Sequence, residues 1–247
     1  MNRLNKLVRR YDRAREHGVF FCGTSYTRLP PRIRFGGDAR PIRLPDGEPL
    51  LVADFINVVL DDEYGLRALV PAPQTVVDIG ANVGFFANYA RHRFPDATIH
   101  AYEPAPKTAE RAAFNIAHPL TTLFVEGVAA SAGRAAMVQL GSSNLARTEL
   151  ATDGDIALVP FATVLERIGG QIDLLKVDCE GAEWDFMRDP ALFAHVAAIR
   201  MEYHLVDHRS LDDVHCLAAG IGFKVTHLIP NDGFGIAWLD PLARSAQ

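Results

Sequence analysis

The sequence predicts an α/β fold: a mostly parallel sheet with helices on both faces and an antiparallel hairpin at the end of the chain. From residue 75 onward, short runs of apolar and β-branched residues alternate with helix-like runs, which is the pattern of parallel strands joined by crossover helices. The last two strand-like runs flank a tight turn, PNDG at residues 230–233, and strands joined by such a turn are antiparallel.

Composition sets the size and the broad class of the molecule. The chain has 247 residues, of which 49% are hydrophobic, so it can bury one substantial core. The net charge of −5 and the pI near 6.0 give no general electrostatic reason to bind nucleic acid. Cys22, Cys179 and Cys216 are scattered, which argues against a structural zinc site. Because the sequence has neither a long apolar run nor a secretory signal, we expect a soluble cytoplasmic protein.

Residues 1–60 are predicted to form an N-terminal extension ahead of a main domain at residues 61–247. Residues 2–17 have the pattern of a basic amphipathic helix that carries an apolar stripe. The stripe consists of Leu4, Leu7, Val8 and Tyr11. We expect the helix to dock on the body of the protein through this stripe, and the alternatives are attachment to an anionic membrane or to a partner protein.

Two turns follow the helix within the extension. The sequences RFGG at residues 34–37 and LPDG at residues 44–47 separate short apolar runs, so a small β-hairpin is predicted within residues 30–55. A helix is predicted around residues 61–69, where it leads to the prolines of PAP at residues 71–73.

The elements of the main domain follow from the same periodicities and from turn and cap signals. Strands are predicted at Thr75–Ile79, Thr98–Tyr102, 121–125, 135–140, 172–177, 197–203, 224–228 and 235–239. Helices are predicted at 84–93, at 106–117 after a proline, from Ala182 onward, and from the capping box SLDD at 210–213 to Gly220. The polar segment 141–154 is expected to be a loop.

A glycine-containing loop follows the first strand of the main domain. The strand runs directly into Gly80, and Gly84 opens the next helix, so the backbone can turn sharply beneath a ligand. In open parallel sheets ligands bind beyond the carboxyl ends of the strands, which is where this loop lies. Its spacing is GxxxG rather than the GxGxxG of pyrophosphate-binding loops. Asp78 adds a negative charge that suits the amino group of a cationic cofactor.

An acid at the end of the next strand extends this predicted cofactor site. The carboxylate of Glu103 can accept hydrogen bonds from ribose hydroxyls. After the third strand, Gly127 leaves room for an adenine ring and Val128 can pack on it. The alternative is that the glycines only allow tight packing and that Glu103 is a solvated strand end. The residues predicted to bind the cofactor are Asp78, Gly80, Ala81, Asn82, Gly84, Phe85, Glu103, Gly127, Val128 and Asp178.

Acids and a histidine follow two later strands and form the predicted catalytic group. Asp178 and Glu180 come at the end of one strand, and Glu202 and His204 come at the end of the next. Carboxyl ends of parallel strands share one edge of a sheet, so all four side chains are expected to face the cofactor pocket. His204 is predicted to be a general base, because histidine ordinarily titrates near neutrality. The alternatives are a divalent cation bound by the four groups and a structural role for the acids.

These motifs resemble those of the FkbM-type S-adenosylmethionine-dependent methyltransferases, over residues 60–240. The corresponding segments are DIGANVG at 78–84, EP at 103–104, KVDCEGAE at 176–183 and EYH at 202–204, and the third is the most specific. In one departure, family members often have TLD ahead of the fourth strand, whereas this chain has TVL at 163–165, so no acid role carries over there. The N-terminal helix and hairpin lie outside the resemblance.

The resemblance implies the class I (Rossmann-like) methyltransferase fold, with a seven-stranded sheet, and S-adenosylmethionine as methyl donor. It also implies O-methylation of a sugar, glycolipid or secondary metabolite, so the expected partner is a small-molecule or glycan acceptor and not nucleic acid. A hydroxyl must lose its proton in this transfer, which a base or a divalent cation can assist. The alternatives are an N-methyltransferase acting on an amino sugar or small amine, an NAD- or nucleotide-sugar-dependent enzyme, and a cofactor-binding module without catalysis.

Overall fold

The computed structural model of the chain describes residues 3–20, 28–45, 50–138, 147–150 and 154–242. Its strands are β1 (Arg32–Ile33), β2 (Arg40–Pro41), β3 (Thr75–Ile79), β4 (Thr98–Tyr102), β5 (Thr121–Phe124), β6 (Gly127–Ala129), β7 (Gly133–Val138), β8 (Arg147–Leu150), β9 (Ile156–Pro160), β10 (Leu174–Val177), β11 (Ile199–His204), β12 (Phe223–Pro230) and β13 (Phe234–Pro241). Its helices are α1 (Arg3–Glu16), α2 (Leu50–Phe55, continued by a π-helical segment at Ile56–Asp61), α3 (Phe85–Arg93), α4 (Pro106–Asn115), α5 (Phe161–Ile168), α6 (Glu183–Phe186), α7 (Pro190–Phe193) and α8 (Leu211–Gly220).

Seven of the strands in the described ranges form the central sheet, in the order β12-β13-β11-β10-β3-β4-β5. β5, β4, β3, β10 and β11 are parallel, and β13 is antiparallel to both of its neighbours. The mostly parallel sheet and the terminal antiparallel hairpin, predicted from the sequence, are confirmed. The chain moves from β3 towards β5 on one side and from β10 towards β11 on the other. The strand order therefore reverses between β3 and β10, and ligands of open α/β sheets bind at such a reversal.

The central strands build two apolar layers, because successive side chains of a strand face opposite sides of the sheet. Val76 of β3 and Leu174 of β10 pack on one side, in the same cluster as Phe85 of α3. Val77 and Leu175 pack on the other side, with side chains from α5 and α8. All four strand residues are completely buried. Burial on both faces explains why these strands are nearly continuous apolar runs in the sequence.

A second sheet, with the order β6-β9-β7-β8 in the described part of the chain, was not predicted. β7 corresponds to the strand predicted at 135–140, but it belongs to this second sheet, where it pairs antiparallel with β8 and β9. β8 lies inside the segment 141–154, so the predicted loop is wrong there; its short polar sequence, RTEL, gave no apolar signal. Residues 139–146 and 151–153 lie outside the described residues.

The hairpin predicted in the N-terminal extension is present, and the helix predicted after it is wrong. β1 and β2 pair antiparallel, whereas residues 46 and 47 of the second predicted turn lie outside the described residues. The helix expected around 61–69 comes earlier, as α2 and its π-helical continuation, and the chain leaves it at Asp62, whose φ is 57°. Within the rest of the predicted range there is only a short 3₁₀ helix, Leu66–Ala68. The Asp62 carboxylate accepts the backbone N–H groups of Leu66 and Arg67 at its start, at 2.8 and 3.1 Å.

α1 docks on the body through its basic face, so the predicted docking through the apolar stripe is wrong. Leu4, Val8 and Tyr11 of the stripe are 64%, 54% and 40% exposed, and its fourth residue, Leu7, is half-buried. The guanidinium of Arg10 instead binds both carboxylate oxygens of Asp61, at 2.6 and 2.5 Å. Asp61 lies at the carboxyl end of the α2 segment, where the helix dipole also attracts cations. The periodicity of α1 identified an apolar face correctly, but charge decided which face docks.

Further contacts extend this basic interface. Lys6 also pairs with Asp61, at 3.0 Å, and Arg13 donates to the carbonyl oxygen of Leu60. Ala14 is buried in the same apolar core as the central sheet. The division of the chain into an extension and a main domain stays a prediction. Among the described helices, none is long and apolar enough to cross a membrane.

Candidate active site

A cavity of about 980 Å³ lies at the carboxyl ends of β3, β4, β10 and β11, where the strand order reverses. Most of the predicted site residues line it: Gly80, Ala81, Asn82, Phe85, Glu103, Gly127, Val128, Asp178, Glu180, Glu202 and His204. Asp78 and Gly84 are not among its lining residues. The structure therefore brings the predicted cofactor loop and the predicted catalytic group to one cavity.

Gly80 is required at the point where β3 ends. Its φ is +76°, and a Cβ there would lie 1.7 Å from the carbonyl oxygen of Asp178. The N–H groups of Gly80 and Ala81 donate to the carbonyl oxygen of Tyr102 at 3.0 and 2.9 Å, which fixes the loop to the end of β4. Glycine thus lets the ends of β3 and β10 meet, and Asp178 reaches the cavity wall.

The other two glycines of the predicted site serve packing within the protein. A Cβ on Gly84 would lie 2.3 Å from Cγ2 of Ile116, and one on Gly127 would lie 2.7 Å from Cδ2 of Leu158. Gly84 therefore allows the start of α3 to pack closely against Ile116 at the end of α4. It does not line the cavity, which agrees with the alternative that this glycine only allows tight packing. Gly127 does line the cavity, but Leu158 already accounts for its missing side chain.

Lys176 was not among the predicted site residues, yet it joins the two halves of the site. Its ammonium lies 3.2 Å from Oδ1 of Asp78 and 3.3 Å from Oδ2 of Asp178. It also donates to the carbonyl oxygen of Gly80 at 2.5 Å. Asp78 is completely buried, so its charge meets Lys176 and not the amino group of a cofactor, contrary to expectation. Burial disfavours the ammonium, but the two aspartates outweigh this effect and raise the pKa of Lys176.

Glu103 is a buried acid, so the alternative of a solvated strand end is wrong. It is 7% exposed, and its two carboxylate oxygens accept the N–H groups of Asn82 and Ala105 at 2.8 and 2.9 Å. Burial raises the pKa of Glu103 to about 7, although both amides oppose the shift. Each carboxylate oxygen still has a lone pair for a further donor, and the group lines the cavity.

His204 is held by Glu183, which was not predicted to be part of the site. One oxygen of the completely buried Glu183 lies 3.3 Å from Nδ1 of His204 and accepts its backbone N–H at 2.9 Å. The other oxygen accepts the N–H of Gly181 at 2.9 Å. Nε2 of His204 lies 3.4 Å from Glu180 and 3.7 Å from Glu202, both in the cavity wall. Glu183 is the last acid of the KVDCEGAE motif, and its place in that motif is the sequence feature that could have identified it as part of the site.

The cavity wall carries more acid than base, and this shifts the pKa values of its groups. Burial alone would lower the pKa of His204, but the surrounding carboxylates, Glu183 first, raise it to about 9. Burial raises the pKa of Glu180 to about 7 and that of Glu63 to about 8. Burial also raises the pKa of Glu202 well above its usual range. With this pKa, His204 is protonated at neutral pH. A cation bound in the cavity would offset the negative charge of the surrounding carboxylates.

The predicted catalytic group has the geometry of a candidate metal centre. Asp178, Glu180 and His204 each offer one ligand atom, and these atoms lie within 4.8 Å of one another. Two carboxylates and an imidazole suit a divalent cation. Glu202 lies beside them, so the four side chains converge as the sequence predicted.

The rest of the cavity wall consists of residues that were not among the predicted site residues. It comes from α1, α2 and the β12–β13 hairpin, and it includes Arg9, Asn57, Ile229, Phe234 and Trp238. The indole Nε1–H of Trp238 donates to the carbonyl oxygen of Glu63 at 2.7 Å, which fixes the ring in this wall. Cationic, amide, apolar and aromatic side chains all contribute, so this side can accommodate a second molecule next to the catalytic group. α1 is thus part of the cavity wall.

Comparison with known proteins places this site in context. Residues 78–215, more than half of the chain, match the family model described as the methyltransferase FkbM domain. Methyltransferase sdnD of Sordaria araneosa is 28% identical in an alignment of 177 residues, and the match covers 55% of this chain and 68% of that protein. Methyltransferase 1 of Beauveria bassiana is 38% identical over 60 residues, which are 24% of each chain.

A solved structure agrees with the fold. The Escherichia coli protein yhhF, assigned as a methyltransferase, superposes with a TM-score of 0.50 and 11% sequence identity, over 83% of this chain and 94% of that chain. At this identity the likeness bears on the fold alone. The class I methyltransferase fold predicted from the sequence is therefore confirmed.

Proposed function

This chain belongs to the FkbM family of S-adenosylmethionine-dependent methyltransferases, and from that premise we propose that it methylates a hydroxyl of a sugar, glycolipid or secondary metabolite. The observation that carries the proposal is the pair formed by His204 and the buried Glu183 at the cofactor cavity. Transfer to a hydroxyl needs a proton acceptor, whereas a neutral amine can be methylated without one. A histidine oriented by a buried carboxylate is suited to that task.

The residues around the β3 loop and β4 fit S-adenosylmethionine. Glu103 would bind the ribose, since its carboxylate is held by two amides and keeps acceptor capacity in the cavity wall. Val128 would contact the adenine. Asp178 would meet the amino group, and Asp78 would act from behind the loop through Lys176. When bound, S-adenosylmethionine supplies a methyl group on a positively charged sulfonium, and an acidic cavity favours that charge.

His204 would take the proton of the acceptor hydroxyl at Nε2. Its Nδ1–H donates to Glu183, which selects the tautomer and stabilises the imidazolium that forms. With a pKa of about 9, His204 holds a proton at neutral pH until positive charge enters the cavity. Binding of S-adenosylmethionine would therefore lower the pKa of His204, because a nearby cation disfavours the protonated imidazole. His204 would then lose its proton and could act as the base.

A divalent cation is the second candidate means of activating the hydroxyl, and the spacing of Asp178, Glu180 and His204 favours it. His204 would then be a ligand and not the base. Chelation separates the two mechanisms. The general base requires no metal at the active site, so Mg²⁺ or Mn²⁺ should not raise the activity of enzyme that has been dialysed exhaustively against EDTA. Loss of activity that Mg²⁺ or Mn²⁺ restores would favour the metal-assisted reaction.

The chemistry of the acceptor tests the proposed function itself. With methyl-labelled S-adenosylmethionine and a pool of sugars, glycolipids, hydroxylated natural products and matching amino compounds, we expect label on oxygen. Fragmentation in a mass spectrometer locates the labelled atom. Label on nitrogen would support an N-methyltransferase instead, and tight binding of S-adenosylhomocysteine without any transfer would support a binding module.

Glu103 provides a test of the donor site. Glu103→Gln should weaken binding of S-adenosylhomocysteine by about 10- to 100-fold, the effect of losing hydrogen bonds to a charged group. The amide of glutamine would also turn an N–H towards one of the backbone N–H groups that the carboxylate now accepts. Calorimetry measures the change, with Glu110→Gln on the exposed face of α4 as control. Equal affinities for the two variants would remove Glu103 from the ribose site.

The pKa of His204 predicts the pH dependence of the reaction. Burial, which lowers this pKa, is outweighed by carboxylates that raise it to about 9, and the base must be unprotonated to act. The value of kcat/KM for the donor should therefore rise with pH up to about 9, by about tenfold per pH unit. At saturating donor the inflection should move to lower pH. Rates at about pH 6–10 check this, and a free-enzyme inflection near 6.5 would contradict it.

A further inference from the structure

A second group of metal-binding side chains lies where the end of α1 meets α3. Glu16, His17 and His92 each offer one ligand atom, and these atoms lie within 4.8 Å of one another. None of the three lines the active-site cavity, and none takes part in the proposed methyl transfer. Two imidazoles and a carboxylate are ligands that zinc takes in protein sites.

His17 supplies the observation that points to a ligand. Its side chain is completely buried, and Nδ1 lies 2.6 Å from the carbonyl oxygen of Arg34. A carbonyl oxygen only accepts, so Nδ1 carries the hydrogen and the neutral ring presents a lone pair at Nε2. Nε2 is buried and has no hydrogen-bond partner among the residues that the structure describes. Buried polar atoms in folded proteins almost always have a partner, so this nitrogen is suited to bind an ion.

The rings around His17 indicate which neighbouring side chain could bind a metal ion together with it. Phe35, Phe55 and Tyr89 surround it at centroid distances of 5.4, 6.2 and 6.2 Å. His92 is nearer, at 5.2 Å, and its ring is inclined by 70° to that of His17. Of these four rings, His92 alone carries nitrogen ligand atoms. The two imidazoles can therefore share a cation in an otherwise aromatic environment.

Glu16 and His92 complete a set of three ligands. Nε2 of His92 lies 3.1 Å from one oxygen of Glu16, and the other oxygen accepts from Arg67 at 3.1 Å. The contact with Arg67 keeps this carboxylate oriented, and the carbonyl of Arg34 does the same for His17, as outer partners of metal ligands do. The side chains of Glu16 and His92 are 39% and 18% exposed, so an ion can enter and water can take a fourth position.

We propose that Glu16, His17 and His92 bind a zinc-class transition-metal ion at a three-ligand site that joins α1 to α3. Bonds of about 2.0–2.2 Å require the ligand atoms to move closer together, and the exposed side chains of Glu16 and His92 can rotate to do so. The ion would fasten α1, which also brings Lys6 and Arg9 into the wall of the active-site cavity. Metal at this site would thus hold that wall in place without touching the reacting atoms.

Zinc titration of the metal-stripped 247-residue chain tests the site. The titration uses His204→Ala as the parent, because this change removes a ligand of the candidate metal centre in the active site. Calorimetry should detect zinc binding to the parent, and adding His92→Ala should weaken it about 100-fold or more, as expected for loss of one of three protein ligands. Zinc should raise the Tm of the parent and not that of the double variant. Cobalt in place of zinc should give visible absorption bands in the parent alone.

Two further variants keep the test interpretable. His195→Ala alters an exposed histidine away from the site and should leave zinc affinity unchanged in the same parent. Binding of S-adenosylhomocysteine reports that the His92→Ala protein is folded. Equal zinc affinity with and without His92→Ala, or no zinc binding by the parent, would overturn the proposal. Neither result depends on finding the methyl acceptor, so failure of this site and failure of the proposed reaction are distinguishable.

Discussion

His204→Ala is expected to lower kcat by about 10²- to 10⁴-fold, the usual consequence of losing a general base. Affinity for S-adenosylhomocysteine should stay close to that of the wild type, because the proposed donor site consists of Glu103 and the β3 loop, which line another part of the cavity wall. Glu183 would lose its imidazole partner but would keep the backbone N–H of residue 204. Steady-state kinetics and calorimetry on one preparation measure both quantities.

Two further variants test whether the loss of activity is specific to His204. His215→Ala changes an exposed histidine on α8 and should retain full activity. Glu183→Gln should lower kcat less than His204→Ala and should move the inflection of the pH profile to lower pH. The reason is that Glu183 contributes most to raising the pKa of His204 against the effect of burial. Wild-type kcat in His204→Ala would contradict the role of the base, and survival in Asp178→Ala/His204→Ala would favour N-methylation.

Lys176→Met is expected to destabilise the protein by about 3–5 kcal/mol, the usual cost of breaking a buried ion pair by removing one partner. Asp78 would remain completely buried without its cation, and the carbonyl of Gly80 would lose a donor. Each kcal/mol should lower Tm by about 2–4 °C in a chain of this size. Scanning calorimetry measures the change, and S-adenosylhomocysteine should bind more weakly because Lys176 no longer holds the loop that follows β3.

The partner of Lys176 gives the control for this prediction. Asp78→Asn together with Lys176→Met removes both charges and should recover much of the lost stability. Lys224→Met on the exposed side of β12 should have little effect. If Lys176→Met were as stable as Lys224→Met, the ion pair would not be what holds the loop.

The sequence predicted best those elements whose local pattern and tertiary role agree. β3 and β4 have the predicted bounds because central strands that are largely buried are rich in apolar and β-branched residues, a pattern that is visible in the sequence. The capping box at α8 is also confirmed, since the bonds between Ser210 and Asp213 are local. β8 is short and polar and depends on pairing with β7, so local pattern could not identify it.

Position at a strand end predicted much of the candidate site, but not the roles of its buried charges. Asp178 and His204 were expected at the carboxyl edge and lie there. Asp78 was expected to meet the cofactor directly, yet Lys176 of the adjacent strand β10 neutralises it. Glu183 was overlooked because its contact with His204 joins α6 to β11, and sequence spacing does not reveal such contacts.

The N-terminal segment shows a similar limit. The apolar stripe of α1 suggested hydrophobic docking, but Asp61 attracts Lys6 and Arg10 from the other face. Scattered cysteines argued against structural zinc, but that argument excludes only thiolate ligands. The proposed site uses Glu16 and two histidines, His17 and His92, which lie far apart in the sequence.

The coupling between donor and base is the central claim, and NMR titration of the His204 imidazole tests it most directly. Isotope-labelled histidine reports the pKa of each ring, and the signal missing from His204→Ala identifies the relevant one. We expect a pKa of about 9 in the free enzyme, lowered by S-adenosylmethionine and lowered less by S-adenosylhomocysteine, which lacks the sulfonium charge. A pKa near the ordinary value of about 6.5 that neither ligand changes would contradict the account.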